Sequence, residues 1–171
     1  MKTKLIDTTK KPSIPDGWTI ESHDTSLGKI DPTKISLWLH EKQKSGYISG
    51  NDLEKELPKE VLNATVLDWL LKNPKYIPED WKGKYVFFWG TIYCSPDGRR
   101  YALCLCFSRG GLWDWRYYWL DDGRCAINPS AVLASINPKS SEFLKSDVIR
   151  PLELRISSLE KDMEKIKSLF K

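Results

Sequence analysis

The sequence predicts an α+β fold in which helices pack on a three-stranded antiparallel aromatic meander, followed by a C-terminal coiled-coil helix. Three observations support this prediction. The first half contains apolar segments with helix-capping residues, the middle contains three strand-like runs between tight turns, and the carboxyl end contains a heptad repeat. We therefore divide the 171 residues into a globular body (1–135), a linker (136–147) and an oligomerisation helix (148–171).

The first 30 residues are predicted to be extended or irregular. Pro12, Pro15 and Gly17 interrupt any regular element in this stretch. Trp18 and Ile20 alternate with polar residues, as the residues of a short edge strand do. The segment therefore predicts one short strand ahead of the first helix.

Four helices are predicted in the body from capping residues and apolar spacing. The first begins with Asp31 and Pro32, because aspartate can accept an orphan backbone N–H and proline suits the first helical position. It ends at Gly46, since glycine is typical of a helix C-terminus. The other helices are predicted over 51–57, over 64–72 behind the cap residue Asn63, and from Asn128-Pro129 to Leu133.

The meander is predicted from a change to strand-like alternation after residue 83. Its strands are the runs 84–94, 99–107 and 112–120, separated by the turns 95–98 and 108–111. Such short connections join antiparallel neighbours. Alternation places Tyr85, Phe87, Trp89 and Tyr93 on one face of the first strand and Val86, Phe88, Ile92 and Cys94 on the other.

The third strand carries a row of large aromatic side chains on one face. The chain has eight tryptophans, and such rings occur in hydrophobic cores, in subunit or partner interfaces, and in stacking platforms for sugars or single-stranded nucleic acid. All three interpretations stay open at this point. The candidate ligand or partner surface consists of Trp113, Trp115, Tyr117 and Trp119, with Arg116 on the opposite face.

Nucleic-acid binding would require positive charge beside these rings. Arg99, Arg100, Arg109 and Arg116 can supply it, although nearby aspartates dilute it. The formal net charge of +4 is spread over the body and the C-terminal segment alike. A nucleic-acid-associated factor that uses the aromatic and arginine-bearing sheet is therefore the alternative function, and not the first.

Residues 148–171 carry the most regular pattern in the chain. Their apolar residues alternate at spacings of three and four, which is the seven-residue repeat of a coiled coil. In a parallel arrangement, Arg155 faces Glu160 and Asp162 faces Lys167 of the neighbouring chain, and both pairs have opposite charge. The predicted seam consists of Ile149, Leu152, Ile156, Leu159, Met163, Ile166 and Phe170.

One motif within the seam bears on the number of chains. The segment Arg155-Ile156-Ser157-Ser158-Leu159-Glu160 resembles the trimerisation signature of parallel coiled coils, with arginine and glutamate around two apolar positions. This resemblance implies a parallel homotrimer, and a dimer is the second choice. The remaining alternative is a helix that folds back onto the body, although the apolar stripe is narrow for that role.

A longer stretch also resembles known sequences. The run VLNATVLDWLLKNPKYIPEDWKGKYVFFWGTIY, the aromatic third strand and the segment NPSAVLAS are similar to small bacterial proteins that have no established activity. The resemblance implies a bacterial or phage-borne origin. It implies no catalytic residue.

Catalytic and metal-binding motifs are weak. The sequence has no phosphate-binding glycine loop, no Gly-x-Ser-x-Gly elbow and no His-Glu-x-x-His motif. Its four cysteines lack Cys-x-x-Cys spacing, and only two histidines could join them, so we predict no metal and no cofactor. With no long apolar run, we expect no membrane contact and a cytoplasmic location.

These observations favour a non-enzymatic, homo-oligomeric binding or scaffold protein. Its expected partners are further copies of itself and, through the aromatic surface, another protein. A small hydrolase is the third class of function considered, and no motif favours it.

Overall fold

The computed structural model describes residues 4–134, and strands dominate this part of the chain. The strands are β1 (Ile6–Asp7), β2 (Thr19–His23), β3 (Lys29–Ile30), β4 (Ile35–Trp38), β5 (Ile48–Ser49), β6 (Tyr85–Phe87), β7 (Thr91–Cys94), β8 (Arg100–Phe107), β9 (Trp113–Trp119), β10 (Gly123–Arg124) and β11 (Ser130–Leu133). The α-helices are α1 (Glu41–Ser45), α2 (Gly50–Glu56) and α3 (Ala64–Lys72), and 3-10 helices cover Pro32–Lys34, Pro74–Tyr76 and Glu79–Trp81.

Seven strands form one curled, mixed sheet in the order β2-β7-β8-β6-β11-β4, and β9 pairs with β8 as well. Only β11 and β6 run parallel among the described pairs of this sheet. β8 is the central strand. One edge of β8 pairs first with β7 and then with β6, and its other edge pairs with β9 along its whole length.

The predicted fold class is therefore wrong. The three aromatic runs do form antiparallel neighbours, but they are part of a larger sheet that also includes β2, β4 and β11. The described helices are short, and α3 is the longest with nine residues. Residues 4–134 are mostly β, and they are not a set of helices on a three-stranded meander.

The helix predicted from Asp31 to Gly46 is replaced by a 3-10 turn, the strand β4 and the short helix α1. Asp31 does cap the turn, because its Oδ1 accepts the Thr33 N–H at 2.9 Å. The chain then becomes extended, and β4 pairs antiparallel with β11. A four-residue segment with three apolar residues, such as Ile35–Trp38, fits a strand as well as a helix, and pairing with a distant strand decides between them.

The helix predicted after Asn128-Pro129 is also wrong, because these residues lead into β11. The Asn128 Oδ1 accepts the Cys125 N–H at 3.0 Å, so its side chain closes a turn and does not cap a helix. The Pro129 carbonyl accepts the Phe87 N–H at 2.8 Å, which starts the parallel pairing with β6. Ser130, Ala131 and Val132 are buried within the sheet.

Helices α2 and α3 lie close to their predicted positions. α2 begins one residue earlier than predicted and is capped by the Ser49 hydroxyl, which accepts the Asp52 N–H at 3.1 Å. The predicted bounds of α3 are confirmed. Its cap residue Asn63 makes no side-chain cap bond, and its Nδ2 donates instead to the carbonyls of Thr8 at 2.9 Å and Asp24 at 2.7 Å.

Apolar side chains are buried on both faces of the central strands. The first core joins Leu67 and Leu70 of α3 to Leu103 and Leu105 of β8. The second core lies among alternate side chains of the same strands and includes Leu53 of α2. From β6, β7, β8 and the segment between β6 and β7, this core includes Phe87, Trp89, Ile92, Ala102 and Cys104.

A break at 88–90 interrupts the strand predicted over 84–94. β6 ends at Phe87 and β7 begins at Thr91. Between them the Gly90 N–H donates to the Leu62 carbonyl at 2.9 Å, and the Gly90 carbonyl accepts the Asp24 N–H at 2.7 Å. The Phe88 N–H still donates to the Leu103 carbonyl of β8 at 3.0 Å, whereas the backbone of Gly90 is bonded to neighbouring segments and not to the sheet.

The break shifts the alternation of side chains, and this makes the predicted faces wrong beyond it. Before the break, the alternation is as expected, with Phe87 in the second core and Val86 in the first. After it, Ile92 lies in the second core and Tyr93 in the first, which exchanges the two predicted positions. An odd shift in a strand moves every later side chain to the opposite face.

The predicted linker and coiled-coil seam, residues 136–171, lie outside the described residues. Within residues 4–134, every helix falls short of the length and apolarity needed to cross a bilayer.

We predict that Gly90→Ala destabilises the protein because a Cβ there would lie 2.9 Å from the backbone N and Cα of Asn63. The expected loss is about 1–3 kcal/mol in the free energy of unfolding, measured by urea denaturation. Gly110→Ala is the matched control, since the nearest atom to its Cβ would be the Ser108 Oγ at 3.7 Å. Equal effects of the two substitutions would contradict the close packing at Gly90.

Candidate functional site

The aromatic row predicted as a partner surface lies on β9, an outer strand. Within residues 4–134, β9 pairs with β8 alone, from Tyr101 opposite Trp119 to Phe107 opposite Trp113. A strand with one neighbour leaves one backbone edge and part of its side chains open to solvent. The position of β9 therefore determines how much of the row is exposed.

The five predicted surface residues have different environments. Trp115 is 37% exposed and Tyr117 is 49% exposed, whereas Trp113 and Trp119 are half-buried. Trp113 packs against the first core. Arg116 is exposed on the opposite face of β9. The row is thus part core and part surface, and its exposed centre is formed by Trp115 and Tyr117.

The exposed centre continues into two residues outside β9, which are Trp18 just before β2 and Tyr101 of β8, and the four rings form an aromatic patch. The Trp18 ring lies between Tyr101 and Tyr117, at centroid distances of 4.7 and 4.9 Å. Tyr117 lies 5.6 Å from Tyr101 and 6.0 Å from Trp115. The sequence-predicted surface did not include Trp18 and Tyr101. They join the patch through the pairing of β2 with β7 and of β7 with β8, and local sequence does not show this pairing.

A cleft of about 310 Å³ opens beside Trp115. Its floor and walls are mostly apolar, with the charged residues Asp68 and Lys72 of α3 one turn apart at its lining. The full lining consists of Ser13, Ile14, Pro15, Asp68, Leu71, Lys72, Leu103 and Trp115. Sequence reasoning did not find this cleft, because four segments that are separate in the sequence form it.

The outer wall of the cleft, residues 13–15, is held by hydrogen bonds to the rest of the body. The Ser13 N–H donates to the Asp68 Oδ2 at 2.7 Å, and the Tyr93 hydroxyl donates to the Ser13 carbonyl at 3.0 Å. Burial raises the pKa of Tyr93 well above its usual value, so this hydroxyl keeps its proton at neutral pH. The Asp68 carboxylate is thereby used to position the wall.

Three of the arginines predicted to support nucleic-acid binding have carboxylate neighbours. The Arg100 guanidinium donates to Glu21 at 2.7 Å and to both Glu54 oxygens at 2.9 Å, and these bonds raise its pKa. Arg99 pairs with Asp97 at 3.2 Å and stacks over Trp119. Arg116 lies 3.9 Å from Asp114.

Arg124 was not among the arginines named from the sequence, and it is almost fully buried. The Arg124 guanidinium lies over the rings of Phe87, Tyr118 and Trp89, at 4.7, 5.5 and 5.9 Å from their centroids. Desolvation lowers its pKa from the usual value. Its NH groups donate to the carbonyls of Trp119 at 2.7 Å, Asp122 at 3.0 Å and Gly123 at 3.2 Å.

Potential metal ligands and nucleophiles are scattered. Among the described residues, no three of the histidine, cysteine, aspartate and glutamate side chains converge as a metal site would require. The four thiols are unpaired, and Cys104 and Cys106 are buried on β8. Burial raises the pKa of both these thiols, so they are poor nucleophiles at neutral pH.

No protein-family model, no curated protein and no solved structure matches this chain.

We predict that Trp115→Ala and Trp89→Ala have very different effects on stability. Trp115 is partly exposed on an outer strand, so its replacement should cost about 1 kcal/mol or less. Trp89 is 3% exposed in the second core, and its replacement should cost about 3–5 kcal/mol. Urea denaturation followed by circular dichroism measures both values. A loss of several kcal/mol at Trp115 would show that it belongs to the core.

We also predict two classes of thiol reactivity at pH 8. Cys94 and Cys125 are half-buried and should react with an aromatic disulfide reagent before Cys104 and Cys106, which are buried and have raised pKa values. Peptide mapping by mass spectrometry after a short reaction identifies the labelled residues. Early labelling at Cys104 would contradict the burial of β8.

Proposed function

We propose that this chain is a non-enzymatic, self-assembling binding protein. In this proposal the C-terminal heptad helix joins three copies, and the aromatic patch with its cleft contacts another protein. The exposure of Trp115 and Tyr117 beside an apolar cleft is the observation that carries the binding part.

The chemistry of the patch suits a protein partner. Tryptophan and tyrosine are the residues that contribute most to protein interfaces, because a large ring buries much area and loses little conformational entropy. The cleft beside Trp115 has the volume for one large apolar side chain of a partner. Asp68 and Lys72 at its lining offer one charge of each sign to polar groups around that side chain.

The paired arginines favour a protein partner over a nucleic acid. Single-stranded nucleic acids need unneutralised positive charge beside stacking rings. Arg100 is held by two glutamates, and Arg99 and Arg116 each have an aspartate neighbour. Three of the four candidate arginines therefore lie beside carboxylates, and the fourth, Arg109, is exposed in the turn 108–111.

Self-assembly rests on the heptad pattern of residues 148–171. About three heptads are marginal for a stable isolated helix, so association would depend on protein concentration or on further contacts between bodies. The signature from Arg155 to Glu160 supports three parallel chains over two.

We predict that light scattering of the full chain at micromolar concentration gives three times the 19.8 kDa mass of one copy. Ile156→Asp should lower this mass, because a buried charge at the seam is strongly unfavourable. Ser157→Asp places the same charge outside the seam, and it should leave the mass unchanged. A monomeric wild-type chain, or an unchanged mass for Ile156→Asp, would contradict assembly through this helix.

A titration discriminates between classes of partner. We expect tryptophan fluorescence of the full chain to show no saturable response to a single-stranded thymidine oligonucleotide or to a soluble oligosaccharide. A response to the oligonucleotide that weakens steeply with salt would replace the proposal with nucleic-acid binding. The variant Tyr117→Ala, with Tyr47→Ala as an exposed control, would locate such a response on the patch.

A further inference from the structure

The outer edge of β9 presents backbone groups of alternate residues. The Leu120 N–H donates to the Arg100 carbonyl and the Ser108 N–H donates to the Leu112 carbonyl, so the even-numbered residues of this segment bond to β8. In an antiparallel pair, the residues between them direct both backbone groups away from the neighbour. Trp113, Trp115, Tyr117 and Trp119 therefore direct their N–H and carbonyl groups outward.

Part of this outer edge is already occupied, which limits where another strand can pair. The Trp119 carbonyl accepts hydrogen bonds from Arg124 at 2.7 Å and from the Asp122 N–H at 3.1 Å. Among residues 4–134, the open stretch of this edge therefore runs from Trp113 to Tyr117, and Trp115 is its centre. The Trp115 N–H is bonded locally, at 2.8 Å, to the Asp114 carboxylate.

We propose that a second copy of the chain pairs with this edge, antiparallel, with Trp115 of both copies on a two-fold axis. In this register Trp115 faces Trp115, and Trp113 faces Tyr117 of the other copy. These are hydrogen-bonded pairs, because their backbone groups point outward. The pairing joins the two β9 strands and merges the two aromatic patches.

Charge complementarity singles out this register. With Trp115 on the axis, Asp114 of each copy lies directly opposite Arg116 of the other, and two pairs of opposite charge form. Moving the axis to Tyr117 would place Arg116 opposite Tyr118 and Asp114 opposite Leu120, with no charge pair. That register would also require the Trp119 carbonyl, which Arg124 already occupies.

Pairing would exchange one set of interactions for another. In the single chain, the Asp114 carboxylate accepts the Trp115 N–H and lies 3.9 Å from Arg116 of its own strand. In the pair, the Trp115 N–H would donate to the carbonyl of the opposite Trp115, and Asp114 would contact the opposite guanidinium. No buried polar group loses its partner in this exchange. The contact goes beyond the proposed function and does not depend on the C-terminal seam. It joins only one short strand edge of each copy, so it is weak and forms above the micromolar concentration at which the mass of the seam trimer is measured.

Disulfide trapping of the full chain tests the register. Paired residues in hydrogen-bonded positions have Cα atoms about 5.5 Å apart, which suits a disulfide, so Trp115→Cys should form a covalent dimer under mild oxidation. Leu112→Cys is the matched control, because it is 72% exposed yet would lie about 20 Å from its own counterpart. The wild-type chain controls for the native thiols. Non-reducing electrophoresis measures the dimer.

Charge reversal in the Trp115→Cys chain tests the complementarity. Asp114→Arg alone, or Arg116→Asp alone, should slow the trapping roughly tenfold, because two attractive pairs become repulsive. The double variant Asp114→Arg/Arg116→Asp recreates opposite charges and should restore the rate. Circular dichroism and urea denaturation verify that each variant is folded.

The possible results separate this proposal from the seam. Trapping should persist when Ile156→Asp is added, and its loss there would show that the contact depends on the C-terminal helix. If Trp115→Cys forms no more covalent dimer than Leu112→Cys, the edge pairing is overturned. This holds even if another segment or molecule covers β9. A trapping rate that is the same with and without the charge reversals would overturn the register.

Discussion

The buried guanidinium of Arg124 determines where β9 ends and which backbone groups of its outer edge stay free to pair with another strand. A charged group inside a core is costly unless its hydrogen bonds are satisfied. Here two of its nitrogens donate to three backbone carbonyls and three aromatic rings of the second core cover it, while its Nε has no hydrogen-bond partner among the described residues. The same bonds hold the turn that follows Trp119, and one of them occupies the outward carbonyl of Trp119. One side chain thus connects the second core, the turn after β9 and the extent of the open edge.

Much of the central meander follows from local sequence, whereas the rest of the sheet does not. The turn 95–98 and the turn 108–111 fix which runs become neighbours, and the strands that they join, β7, β8 and β9, pair antiparallel as expected. The segments β4 and β11 were mistaken for helices because each has only a few apolar residues. They become strands through pairing with each other, almost a hundred residues apart. No local pattern carries that information.

The same distinction applies to the candidate site. Alternation placed the aromatic side chains of β9 on one face, and the outer position of β9 then divided them into buried and exposed residues. Trp18, Tyr101 and the cleft require the long-range pairing of β2 and the docking of α3. Arg124 gave no signal, because an arginine after an Asp-Asp-Gly turn is ordinarily solvated. The break at Gly90, which reverses the faces of β7, depends on contact with Asn63.

The cleft beside Trp115 differs in construction on its two sides. One side consists of α3 and β8, which are parts of the first core. The other is an irregular stretch, residues 13–15, anchored through Ser13 by one carboxylate and one phenol hydroxyl. The position of this side therefore depends on two polar contacts at Ser13 and on the packing of Ile14 against the first core. A substitution at Asp68 would alter the width of the cavity while leaving the strand pairing of the sheet intact.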